Sequence, residues 1–244
     1  MHSKEEARTP ASATYDVAFL ERVGAVEGTG TFRFAKPTGY TFVPGQFLSL
    51  TLATRDGEQT KPFTHDEAPG DPYIEITTRL SGSAFKDALL ALGSGDVVRV
   101  NGPRGRMTLP QDVRKAAFLV GGVGITPARA IIRDAVQRGS GLQVALFYGN
   151  QNESSIPFRD EFDGYGTAHA EIHVVHVLAD PGTAWKGERG FITAATVRRH
   201  VDPLDGWHWV VTGPPAMIAA MGSVLEELAV PGDRISTESF AGYK

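Results

Sequence analysis

The sequence predicts two domains in series: an antiparallel six-stranded β-barrel, then an α/β domain with a doubly wound parallel sheet. Three observations carry this prediction. Short strand-like segments punctuated by glycine and proline fill the chain as far as Asp112. Beyond that point continuous apolar runs alternate with amphipathic segments, the pattern of buried parallel strands and covering helices. Hydrophobic residues make up 41% and charged residues 21% of 244, enough to bury a core in each domain. The expected boundaries are a lead over 1–13, the barrel over 14–112 and the α/β domain over 113–244.

In the barrel, Tyr15 to Val23 alternates polar and apolar residues, and "GTGTFRFAK" follows a glycine turn. "GQFLSLTLA", "YIEITTRL" and "DVVRVNGP" are further strands, and "SAFKDALLALG" is the one clear helix. In the second half "KAAFLVGG", "LQVALFYGN", "EIHVVHVLA" and "WHWVVTGPP" read as parallel strands. Helices are expected in "TPARAIIRDAVQRG", "SSIPFRDEFDGYG", "TAATVRRHV" and "PAMIAAMGSVLEELAV", and "DRISTESF" closes the set.

Composition excludes several classes of function. A net charge of −4 without a long basic run argues against nucleic acid and anionic membranes. No apolar run approaches the ~18 residues of a membrane-spanning helix, and "MHSKEEARTPASATYD" has no apolar signal core. The absence of cysteine excludes disulfides, thiolate metal sites and iron–sulfur clusters held by these residues, and fits a cytoplasmic protein. In "HVVH" the imidazoles of His173 and His176 are expected on opposite strand faces, which makes strand decoration a better reading than a metal site. No apolar stripe announces an oligomer interface.

Four stretches stand out chemically. "VGGVGITPARAI" places Gly121, Gly122 and Gly124 in a strand–helix turn, with Thr126 and Pro127 beginning the helix. Such a turn admits a close ligand and aims free N–H groups at an anion. The dinucleotide pattern G-x-G-x-x-G is only partly met, because Pro127 stands where the third glycine would be. "VVTGPPAMI" repeats the arrangement with Thr212, Gly213, Pro214 and Pro215 at the same sheet edge. "SGSAF" opens the barrel helix with Gly82, Ser83 and Ala84, either an anion site or a simple N-cap. The fourth, "KPFTHDEAP", reads alone as a polar loop.

Taken in order and spacing, "KPFT", "GSAF", "GGVGITP", "VTGPP" and "TESF" resemble the ferredoxin–NADP reductase superfamily over almost the whole chain, from about Tyr15 to Tyr243. The resemblance implies a flavin-binding barrel and a nicotinamide-binding α/β domain. Lys61, Pro62, Phe63 and Thr64 would hold the flavin. Lys61 would take a phosphate in place of the family's arginine, Phe63 would pack beside the flavin, and the Thr64 hydroxyl would reach toward N5. Gly82, Ser83 and Ala84 would receive the flavin pyrophosphate. Phe85 stands where many relatives have serine, yet FAD remains favoured over FMN. The nicotinamide cofactor would lie on Gly121, Gly122, Gly124, Thr126 and Pro127, and on Gly213, Pro214 and Pro215. Thr212 and Glu238 would orient the rings, and Phe240 would cover the flavin face, with Tyr243 in the terminal Ala241–Lys244 as a competing cover. Asp180 after the third parallel strand leans the choice to NADH over NADPH, although Lys186 and Arg189 are close in sequence. His65 and Asp66 depart from the small or apolar residues usual there, and His65 is expected to face solvent.

The implied activity is hydride transfer from NAD(P)H to FAD, with electrons passed to a ferredoxin, a flavodoxin or an oxygenase component. Two alternatives stand beside it: a free-standing reductase of free flavin, quinone or ferric chelates, and a non-catalytic flavin- or nucleotide-binding regulatory protein.

Overall fold

The structure is a computed structural model that describes residues 11–24 and 26–240. Tyr243, and the lead over 1–10, lie outside the described residues. The first sheet contains β1 (Ala13–Val23), β2 (Thr29–Ala35), β3 (Phe47–Thr54), β4 (Gly57–Thr64), β5 (Tyr73–Arg79) and β6 (Val97–Arg104). Its order is β4-β3-β6-β1-β2-β5 and every pairing is antiparallel. The sheet curls until its edges approach, where the Asp66 N–H donates to the Glu75 carbonyl at 3.3 Å. Phe32, Phe34, Leu48, Leu50, Ile74 and Ile76 fill the interior. Helix α1 (Ala84–Leu90) packs onto that core through Phe85 and Leu89.

The second sheet has the order β10-β9-β8-β7-β11-β12, and its strands pair in parallel throughout the described residues. Its strands are β7 (Lys115–Gly121), β8 (Gln143–Asn150), β9 (Ile172–Leu178), β10 (Glu188–Arg189), β11 (His208–Gly213) and β12 (Ile235–Ser239). Helices α2 (Ile125–Gln137), α3 (Arg159–Ala168), α4 (Ala194–His200) and α5 (Pro215–Glu227) connect them. Along β7, Ala116, Phe118 and Val120 pack under α2 and α3, while Ala117 and Leu119 pack with α4 and α5. Both faces are buried, so the strand reads as one unbroken apolar run. Across β9, His173 meets His200 at 3.1 Å and His176 meets Asp163 at 2.8 Å, so the two imidazoles do lie on opposite faces. No described helix is long and apolar enough to cross a membrane.

Two expectations about "KPFTHDEAP" are corrected. "KPFT" is not loop but the end of β4, paired with β3 from Phe47↔Thr64 to Leu50↔Lys61. The predicted solvent-facing His65 is fully buried, as are Asp66 and Glu67. Its ring stacks on Phe42 with centroids 3.9 Å apart, its Nε2 lies 2.9 Å from the Tyr40 hydroxyl and its Nδ1 lies 2.8 Å from Glu67. The polar letters pointed outward; partners from the connection between β2 and β3 and from Glu67 made burial of His65 possible.

Candidate active site

The carboxyl edge of the parallel sheet brings the two glycine turns together. β7 ends at Gly121, a short 3₁₀ turn spans Gly122–Gly124 and α2 begins at once. Gly122 takes φ +53°, a conformation glycine adopts without steric cost. Gly124 has an ordinary φ of −63° and is required for another reason: a Cβ there would lie 2.6 Å from the Thr212 carbonyl oxygen. The turns are also bonded, the Thr212 hydroxyl donating to the Gly124 carbonyl at 2.5 Å. Thr212 is fully buried, so its hydroxyl braces one turn against the other. Thr126 is buried likewise and donates to Val123 at 3.2 Å, closing the first turn of α2. Pro215 occupies the start of α5 behind Pro214, where a missing N–H costs nothing.

Glu238 stands beside Thr212 in the β11–β12 register. Its Oε2 is buried without a hydrogen-bond partner, and burial pushes its carboxyl up to about 6. Asn150, ending β8, presents a buried amide nitrogen that also lacks a partner. Unsatisfied buried polar atoms are uncommon, and two at one sheet edge fit a polar ligand. Phe240, two residues after Glu238, is half-buried, its N–H donating to the Gly213 carbonyl at 2.9 Å.

On the barrel, Phe63 is 9% exposed and packs against Phe85 at 5.7 Å between centroids. The Lys86 ammonium lies 4.5 Å above the Phe63 ring and donates to the Thr78 hydroxyl. Burial, with the nearby Lys61 charge adding to it, pushes Lys86 down to about 8. Two close lysines of which one is depressed are suited to an anion, whose arrival would restore the proton. Lys86 makes no ion pair among the described residues. Sequence reasoning passed over it; its place one turn into the helix beside "GSAF" was the available signal. Ser83 is the N-cap of α1, accepting from the Lys86 N–H at 3.4 Å, so the capping reading of that serine holds and its own proton stays available to donate. Thr64 ends β4, buried.

After the third parallel strand, Asp180 is exposed and its N–H donates to Gln151 at 2.7 Å. Arg189 is tied to the carbonyls of Gly182 and Trp185 at 3.1 and 2.9 Å, whereas Lys186 is exposed.

A curled antiparallel sheet joined to a parallel sheet with glycine turns at its carboxyl edge defines a dinucleotide-dependent oxidoreductase class. The profile of the oxidoreductase NAD-binding domain matches residues 118–222. The chain is 30% identical to NADH-cytochrome b5 reductase 1 of Aspergillus terreus over 225 residues, 85% of this chain and 75% of that protein. It is 26% identical to ferredoxin–NADP reductase B of Sorangium cellulosum, over 86% of this chain and 90% of that protein. Among solved structures, the Amycolatopsis cytochrome P450 reductase GcoB superposes with a TM-score of 0.84 at 25% identity, covering 96% of this chain and 71% of that one. The chain belongs to the ferredoxin–NADP reductase superfamily and is an NAD(P)H-dependent flavoprotein reductase.

Proposed function

We propose that this reductase carries electrons from NADH, through FAD held on the barrel, to a separate electron-acceptor protein. One observation carries the reading. The helix that opens at the glycine turn is bonded, through Arg129, to the backbone of Asp66, two residues beyond Thr64. The strand proposed for the flavin and the helix proposed for the nicotinamide cofactor are thus joined directly.

Bound together, the cofactors supply hydride transfer from nicotinamide to flavin. The chain binds, orients and excludes water. Lys61 and Lys86 hold the flavin's phosphates as two point charges where the family uses one guanidinium fork. Ser83 donates to the same anion from the N-cap of α1, with Gly82 and Ala84 on either side. Phe63 and Pro62 form the flank, and the Thr64 hydroxyl sits at the strand's end to orient the flavin edge. Gly121, Gly122, Gly124, Thr126 and Pro127 receive the dinucleotide from one side and Gly213, Pro214 and Pro215 from the other. Phe240 covers the ring site. Glu238 holds a carboxyl there that changes protonation near neutrality, so it can accept a hydrogen bond from an amide at pH 7 and donate one in mild acid. Thr212 acts behind these groups as the brace between the turns. We assign the barrel to 14–112 and the α/β domain to 113–244.

NADH is favoured because Asp180 lies exposed after β9, and a carboxylate accepts from a ribose hydroxyl while repelling a 2′-phosphate. Arg189 is committed to loop carbonyls, which leaves Lys186 as the nearby cation in that loop. A protein acceptor is favoured because the relatives are named as reductases of cytochrome b5 and of ferredoxin, and these 244 residues contain no cysteine to hold an iron–sulfur centre. The deciding experiment is a visible spectrum of the purified chain. A flavin spectrum bleached by NADH, and restored faster by ferredoxin, flavodoxin or cytochrome b5 than by oxygen, supports the reading. A colourless chain that takes up no added FAD defeats it.

A further inference from the structure

The face of α2 turned to the barrel is polar. Arg129, Arg133 and Gln137, spaced four residues apart on one helix face, all reach the segment 66–75. Arg129 donates to the Asp66 carbonyl at 2.8 Å and to the Glu75 carboxylate at 2.5 Å. Its Nε donates to Glu161 on α3 at 2.7 Å, and its plane lies 4.0 Å over the Phe158 ring. Arg133 pairs with Asp71 at 2.6 Å and Glu161 at 3.1 Å, and Gln137 donates to Asp71 at 2.8 Å. Arg33 completes the set from β2, pairing with Glu75 at 2.6 Å. The guanidinium charges of Arg33, Arg129 and Arg133 are therefore matched by Glu75, Asp71 and Glu161. Glu21 adds a second carboxylate to Arg33 at 3.2 Å, and the Asp66 carboxyl lies 3.7 Å from Arg129. Burial, with Glu75 and Glu67 nearby, holds Asp66 well above the usual carboxylate range against the pull of Arg129.

An apolar contact between domains can slide; a planar fork bonded on several sides has one geometry. Arg129 is only 4% exposed, two residues after Pro127 of the glycine turn, and it grips the chain two residues after Thr64. We propose that Arg129 is a positioning residue, which holds the nicotinamide-site helix against the flavin-site strand at the separation hydride transfer requires. The proposal rests on the cofactor reading above. Reacting atoms misplaced by about 1 Å cost roughly 100-fold in rate, so a clamp at this joint acts on the chemical step and leaves each cofactor's own contacts in place.

The test uses the full chain with FAD and NADH. Arg129→Gln is compared with Arg129→Lys, and with Arg138→Gln, which removes an exposed cation at the C-cap of the same helix whose only ion pair among the described residues is with Asp134. Because Arg129→Gln leaves the buried Glu75 with Arg33 alone of its two guanidinium partners, the double variant Arg129→Met/Glu75→Met, which removes both charges of the Arg129–Glu75 pair, is measured alongside. Flavin content, the long-wavelength absorbance of stacked nicotinamide and flavin, and the stopped-flow rate of flavin reduction are read for each. The expected result is full flavin content in the double variant, loss of the stacking absorbance, and reduction about 10- to 100-fold slower at saturating NADH with KM little changed. Arg129→Lys should recover part of the rate, and Arg138→Gln should match wild type. Double-variant and Arg129→Gln rates within twofold of wild type, with the absorbance intact, would overturn the clamp alone. A wild-type chain that binds no flavin would overturn the cofactor reading and the clamp with it.

Discussion

Gly124→Ala is the sharpest probe of the two-turn site. At φ −63° an alanine backbone fits without strain, so the whole effect is the added methyl. That methyl would lie 2.6 Å from the Thr212 oxygen and 3.0 Å from Gly213 Cα, both backbone atoms that cannot rotate away. Reaching ordinary contact at 3.4 Å requires the turns to part by about 0.8 Å, which also stretches the Thr212–Gly124 hydrogen bond. Overpacking of this kind costs about 1–3 kcal/mol, or roughly 2–12 °C in Tm at about 2–4 °C per kcal/mol for a chain of this size. The same displacement should slow flavin reduction by NADH about 10- to 100-fold. Gly122→Ala is the comparison. Its φ of +53° costs about 1–2 kcal/mol, yet no atom lies within 4 Å of the new Cβ, so the turns stay together. Differential scanning calorimetry and stopped-flow reduction are measured on both. The rate lost per kcal/mol should be several-fold larger for Gly124→Ala; equal ratios, or a Gly124→Ala chain of wild-type rate and Tm, would refute the reasoning.

Lys86→Ala should weaken FAD binding about tenfold or more, measured by fluorescence titration, and lessen its salt dependence; unchanged affinity would remove Lys86 from the phosphate site. With Glu238 raised to about 6, kcat/KM for NADH should rise as pH increases from 5 to 7, while Glu238→Gln should be flat over that window; parallel profiles would show that another group titrates. Asp66 binds its proton more tightly folded than unfolded, so its contribution to stability falls as pH rises above its unfolded value near 4. Asp66→Asn should therefore gain Tm relative to wild type as pH rises from 4 to 7, and a constant difference would contradict a raised Asp66. The ratio of kcat/KM for NADH over NADPH should exceed one, and a tenfold preference for NADPH would reverse the role given to Asp180.

Much of this protein is written locally. The switch from period-2 strands to apolar runs separated by helices gave both sheets, because which faces are buried shows directly in the hydrophobic pattern. Glycine at turns and proline at helix starts marked the carboxyl edge for reasons of backbone geometry alone. The two-residue strand β10 escaped notice because it is too short to show a period. What the tertiary structure alone decided is where charge could be hidden. "KPFTHDEAP" reads alone as a polar loop with His65 facing solvent, since burying polar and charged groups without partners is costly. The Arg129, Arg133, Gln137 stripe reads only as part of an amphipathic helix. Arg129 reaches the Asp66 carbonyl from 63 residues away and the Glu75 carboxylate from 54, and these contacts become the joint between the domains. The Thr212 brace became visible for the same reason: its partner, Gly124, lies 88 residues away, beyond any local window. Thus "KPFT" could be proposed as a cofactor grip only from the order and spacing of five motifs along the chain, whereas the contacts of "HDE" depended on a helix that begins some 60 residues later.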